Sequence, residues 1–109
     1  MIKGKNLTNI VQLNANEKNE VYTWVNKEGT NPILNFKLNE KNAVHLNNPT
    51  DSKHDLILTT GGKELASSGD ILAGNSGKLI VLTLSQGETL TYHCLYHPTT
   101  MKGTITISP

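Results

Sequence analysis

The sequence predicts an all-β protein, a sandwich or barrel of about eight strands. Three observations carry this expectation. Apolar residues alternate with polar ones or gather in short runs, the breaks between them hold Gly, Asn, Pro or Asp, and no segment sustains a long helical period. The composition agrees: 36% hydrophobic residues, only 5% aromatics and nine Gly suit short strands and turns better than a helical bundle. At 109 residues the chain has the length of a single domain, 1–109, with room for one continuous core.

The first strand is expected from Leu7 to Leu13, and the polar stretch Asn14 to Asn19 then reads as an exposed loop. Strands Glu20 to Asn26, Ile33 to Leu38 and Ala43 to Asn47 follow, the last of them stopped by the turn chemistry of Asn47-Asn48-Pro49. His54 opens an apolar run that becomes the strand Asp55 to Thr60 and ends at Gly61-Gly62. Gly69-Asp70 and Gly74-Asn75-Ser76-Gly77 read as further turns before the strand Lys78 to Leu84. Thr89 to Cys94 and Thr104 to Ser108 complete the set.

Period two assigns the faces of these strands. Leu90, Tyr92 and Cys94 share one side and Thr91 and His93 the other, so Cys94 points inward. Ile105 and Ile107 also share a face, and the loop from Leu95 to Gly103 therefore joins two strands of the same core. His45, between Val44 and Leu46, faces away from the core.

Charge and cysteine content narrow the function. Ten Lys and no Arg stand against nine Asp and Glu, for a formal net charge of +1, which leaves no electrostatic footprint for nucleic acid. One cysteine excludes an internal disulfide. Met1 to Lys5 has no apolar stretch of the kind a signal peptide or a membrane span requires, so the chain is expected to be either a cytoplasmic protein or a mature fragment without a membrane span. The chemistry of the stretch from Tyr92 to Gly103 favours the fragment, acting outside the cytoplasm.

The informative stretch runs Tyr92-His93-Cys94-Leu95-Tyr96-His97-Pro98-Thr99-Thr100-Met101-Lys102-Gly103. It places a thiol, an imidazole and a thioether on one loop directly after a strand. Soft sulfur together with imidazole suits copper, the metal that combines Cys, two His and a long, weak Met bond. His54, at the edge of its own strand, supplies the second imidazole. The bland alternatives are a buried thiol packed as a small hydrophobe, a turn histidine and a methionine filling the core.

This stretch resembles the copper loop of the cupredoxins, such as amicyanin, plastocyanin and azurin, and also of small cupredoxins from ammonia-oxidising archaea. The resemblance implies a Greek-key sandwich that shuttles single electrons, one copper ion held by His54, Cys94, His97 and Met101, and electron exchange through His97. Two departures matter. The spacing from Cys94 to His97 resembles plastocyanin and amicyanin, whereas that from His97 to Met101 resembles azurin. A long axial bond, an altered colour or an open, water-bound position follows as an alternative, with reaction at copper with a small molecule such as nitric oxide.

Asp55 is the second departure, since such proteins often carry Asn beside the first ligand histidine. A carboxylate accepts hydrogen bonds but cannot donate them, and an ionised Asp55 near the site would favour Cu(II). Leu95, Tyr96, His97 and Pro98 are expected to form an apolar rim for transient redox protein partners, on a monomer. Asn6-Leu7-Thr8 matches a glycosylation acceptor, a pattern short enough to arise by chance.

Overall fold

A computed structural model of the chain describes residues 8–82, 84–85 and 87–109. Ten strands are present among them and no helix: β1 (Thr8–Lys18), β2 (Val21–Asn26), β3 (Gly29–Thr30), β4 (Leu34–Lys37), β5 (Lys41–Asn47), β6 (His54–Thr60), β7 (Lys63–Ile71), β8 (Ser76–Val81), β9 (Leu90–Cys94) and β10 (Lys102–Ser108). They form two five-stranded sheets, ordered β3-β2-β1-β5-β8 and β4-β10-β9-β6-β7. Each sheet keeps two free edges, so the architecture is a sandwich and not a closed barrel.

Both sheets are mixed, with β1 parallel to β5 and β4 parallel to β10. Their facing sides enclose the core. Leu13, Trp24, Val44, Leu46 and Leu79 come from the first sheet, and Leu34, Phe36, Leu56, Leu58, Leu90, Tyr92 and Ile105 from the second. Burying each of the leucines contributes about 1.5–3 kcal/mol. The alternation expected in β9 is present, with Leu90, Tyr92 and Cys94 buried and Thr91 and His93 half-buried.

Two readings of the sequence are corrected at the first hairpin. Asn14 to Asn19 is no loop: β1 continues to Lys18 and pairs with β2 down to Lys18 opposite Val21. Asn19 and Glu20, both at positive φ (53° and 66°), make the two-residue hairpin turn, so Glu20 precedes β2 instead of opening it. The polar composition misled because this hairpin projects into water, with backbone pairing and the bond from the Glu20 N–H to Glu17 Oε2 (2.6 Å) holding it.

β7 and the short β3 were not foreseen. Most of β7 is exposed, so it lacks the apolar alternation by which strands are recognised, and it is held by pairing to β6. Gly69-Asp70, expected to be a turn, lies inside β7. The register slips there, between Asp55 and Ile57, and the Leu56 N–H finds the Ser68 hydroxyl at 2.9 Å. Leu7, Thr83 and Asn6, which belong to the expected first strand, the expected strand Lys78 to Leu84 and the glycosylation pattern, lie outside the described residues, as do Met1 to Lys5.

One glycine is set by close approach. Gly103 lies opposite Tyr92 in the β9–β10 pair, and a side chain there would meet the Tyr92 ring at 2.4–2.7 Å. The ring is thereby free to cross the sheet end, where its hydroxyl donates to the Pro32 carbonyl at 2.6 Å. Burial pushes the Tyr92 hydroxyl pKa far up, so it stays a donor.

Candidate metal centre

The site lies where β6 begins and β9 ends. Leu56 pairs with Cys94, and two residues earlier on the same face of β6 stands His54. Both side chains are wholly buried. The loop that follows turns tightly on its own backbone: the His97 N–H donates to the Cys94 carbonyl (3.2 Å) and the Met101 N–H to the His97 carbonyl (3.0 Å). The Cys94 N–H donates to the Met101 carbonyl (2.8 Å).

Two outside contacts fix this loop to the sandwich. The Leu95 N–H donates to the Asp55 carbonyl at 3.0 Å, and the Asn31 side-chain amide donates to the Thr100 carbonyl at 2.8 Å. Asn31 in turn accepts from the Trp24 N–H, which ties the loop to the opposite sheet.

His54, Cys94 and His97 converge, with one ligand atom from each lying within 4.8 Å of the others. Nδ1 of His54 and Nδ1 of His97 each stand 3.7 Å from Cys94 Sγ. A nitrogen and a sulfur bound to one ion at about 2.0–2.3 Å, with a trigonal angle of about 120°, would be separated by roughly 3.7 Å. The spacing therefore suits one metal ion, and the donor set of one thiol and two imidazoles suits copper. Met101 is fully buried in the same core cluster as Cys94.

The surroundings favour neutral imidazole at His54. Burial, aided by the nearby His97, lowers its pKa from 6.5 to about 4, against the opposing pull of Asp51. Only the unprotonated ring can bind a metal. Its far nitrogen, Nε2, is 2.8 Å from the Thr50 hydroxyl.

Aromatic rings close the site from the first sheet, and sequence reading assigned them no part in it. The Tyr22 ring lies 4.6 Å from the His97 ring and 5.2 Å from that of His54, and Trp24 lies 5.9 Å from His54. The Tyr22 hydroxyl donates to Asp51 Oδ1 at 2.7 Å, and this bond raises its pKa. Tyr22 and Trp24 share a face of β2, a placement visible in the sequence; that this face meets the loop from Leu95 to Met101 depends on how the sheets stack.

Asp55 turns the other way. Period two directs its side chain to the face opposite His54, and there its Oδ1 accepts from the Ser67 hydroxyl of β7 at 2.9 Å. Its link to the site is the backbone carbonyl that holds Leu95. Around His97, which is half-buried, Leu95, Tyr96 and Pro98 are exposed. The Tyr96 hydroxyl donates to Asp70 Oδ1 at 2.5 Å, a bond that pushes its pKa up to about 12, and the Lys53 ammonium sits 4.9 Å from the Tyr96 ring centre. His45 is exposed and His93 half-buried on the outer face of β9.

This pair of mixed sheets, with a histidine at the start of one strand and a Cys-to-Met loop at the end of its neighbour, is the cupredoxin fold. Solved structures with the same fold include auracyanin B (TM-score 0.72, 19% identity, covering 99% of this chain and 94% of that one). Auracyanin A, a blue copper protein from the green thermophilic photosynthetic bacterium Chloroflexus aurantiacus, superposes with TM-score 0.73 at 13% identity, over 93% of this chain and 99% of the other. Reduced rusticyanin gives 0.70 at 16% identity, over 99% and 84%. No protein-family profile and no curated protein sequence matches the chain.

Proposed function

We propose that the chain is a mononuclear type 1 copper protein that passes single electrons between redox partners, in which His54, Cys94 and His97 would hold one copper ion and Met101 would bind it weakly. The observation that carries this reading is the approach of two imidazole Nδ1 atoms to one cysteine sulfur at 3.7 Å each, on a fold shared with blue copper proteins. Copper, when bound, supplies the one-electron Cu(I)/Cu(II) couple.

The chain's own residues supply the rest. Cys94, deprotonated, gives the strong sulfur donor; the buried His54 and the loop histidine His97 give the two nitrogens. The loop's internal backbone bonds and its ties to Asp55 and Asn31 hold these donors in place, so little rearrangement opposes a change of charge at the metal. His97 alone reaches towards solvent, within the rim of Leu95, Tyr96 and Pro98, which offers a partner protein a small apolar contact. Asp55 acts from outside the donor set, through its carbonyl. The expected setting is extracytoplasmic and the expected form a monomer.

The competing arrangement, with Met101 withdrawn and a small molecule such as nitric oxide reacting at an open axial position, draws its support from the hybrid loop spacing. The full burial of Met101 and the pinning of its N–H and carbonyl favour the electron carrier. Voltammetry of the copper-loaded chain should give a reversible one-electron wave, and nitric oxide should leave the visible spectrum unchanged. Consumption of nitric oxide with bleaching of the site would replace the carrier reading with the open one.

A further inference from the structure

The contact between Thr50 and His54 has a direction that can be deduced from its neighbours. Asn48, 2% exposed at the end of β5, gives its amide hydrogens to the carbonyls of Ser52 (2.8 Å) and Ile71 (2.9 Å), and its Oδ1 accepts from the Thr50 N–H (3.1 Å). These three partners are backbone groups whose donor or acceptor character cannot reverse, so the orientation of the Asn48 amide is fixed.

Thr50 Oγ1 lies 2.7 Å from that same Asn48 Oδ1. Two acceptors cannot meet lone pair to lone pair at this distance, so the single hydroxyl hydrogen of Thr50 points to Asn48. No hydrogen is left for His54. At 2.8 Å, Nε2 must therefore be the donor and Thr50 Oγ1 the acceptor. The proton of the neutral imidazole then sits on Nε2, and the lone pair of Nδ1 faces Cys94 Sγ.

We propose that Thr50 is the positioning residue for His54: through Asn48 and Thr50 the backbone at the end of β7 sets which imidazole nitrogen carries the proton and keeps Nδ1 available to the metal. The proposal rests on the copper reading for its purpose, but the tautomer it assigns belongs to the chain itself. Partners of this kind orient a ligand histidine and change metal affinity by roughly 10–100-fold when removed. The arrangement is prepaid in the fold, because Asn48 also donates its backbone N–H to Asn75 (2.9 Å) and accepts from the Gly74 N–H (2.7 Å), which anchors the segment whether or not metal is present.

The test uses the full chain, as wild type, Thr50→Val and Thr50→Ser. Nitrogen-15 NMR of the His54 ring in the metal-free chain should show the Nε2–H tautomer alone in the wild type and in Thr50→Ser, and a mixture in Thr50→Val. Chelator competition should show Thr50→Val losing about 10-fold or more in copper affinity, with Thr50→Ser within a few-fold of wild type. An Nδ1–H tautomer in the wild-type chain overturns the proposal whatever the variants do, and so does a Thr50→Val protein with unchanged tautomer and affinity. A wild-type chain that shows the Nε2–H tautomer but takes up no copper would sink the copper reading and leave the hydrogen-bond direction standing.

Discussion

The two histidines at this site are held in opposite ways. His54 begins β6, an interior strand of its sheet, is wholly buried, and has both nitrogens engaged, one towards Cys94 and one on Thr50. His97 rides on a loop, is half-buried, and packs beside the tilted Tyr22 ring, 4.6 Å away between centroids. The difference shows how one metal site can be both rigid and reachable: the sheet fixes one nitrogen within the core, while a backbone-bonded loop presents the other at the surface.

The largest expected contrast is in the stability of the metal-free chain. His54→Ala leaves a cavity and removes the imidazole N–H that Thr50 Oγ1 accepts, and should cost about 2–4 kcal/mol in denaturant unfolding. His97→Ala should cost under about 1 kcal/mol, as truncation of a half-exposed side chain does. Equal losses would erase the distinction between a sheet-held and a loop-held ligand.

Acid should distinguish the two sides as well. The His54 pKa is lowered in the fold, from 6.5 to about 4, so the unfolded chain takes up the proton first as pH falls. The stabilisation is therefore fully present above pH 6.5 and is lost as pH drops through about 4, a change on the order of 3 kcal/mol. Unfolding midpoints of the metal-free protein measured across that window should follow this slope, and His54→Ala should flatten it. An unchanged slope in the variant would show that the acid sensitivity lies elsewhere.

A smaller effect is expected at the ring that covers the loop. Tyr22→Leu keeps apolar bulk but removes the ring-to-ring contact with His97 and the bond to Asp51, and should cost about 0.5–1.5 kcal/mol. In the copper-loaded protein the same change should speed the release of metal to a chelator. No change in either measurement would mean that the loop's backbone bonds alone hold His97.

How much of this was legible in the sequence follows from locality. Cys94, His97 and Met101 stand on one loop, and the period-two reading of Leu90, Tyr92 and Cys94 was enough to turn the thiol inward, as the buried positions of β9 show. Thr50 and Asn48 escaped notice because Asn, Pro, Thr and Asp in series are ordinary turn chemistry, and nothing in that pattern says which hydroxyl meets an imidazole. Tyr22 came from the other sheet, whose stacking against the loop that carries His97 no spacing encodes. β7 was invisible for a different reason: an edge strand whose side chains face water is specified by pairing, and pairing leaves little mark on composition.

The central claim is that Cys94 sulfur and two imidazole nitrogens enclose one copper ion, and the visible absorption and EPR of the chain titrated with Cu(II) test it most directly. One equivalent of copper should produce an intense thiolate-to-copper charge-transfer band that is absent from Cys94→Ala. Saturation with copper without that band, or the same band in Cys94→Ala, would contradict the account.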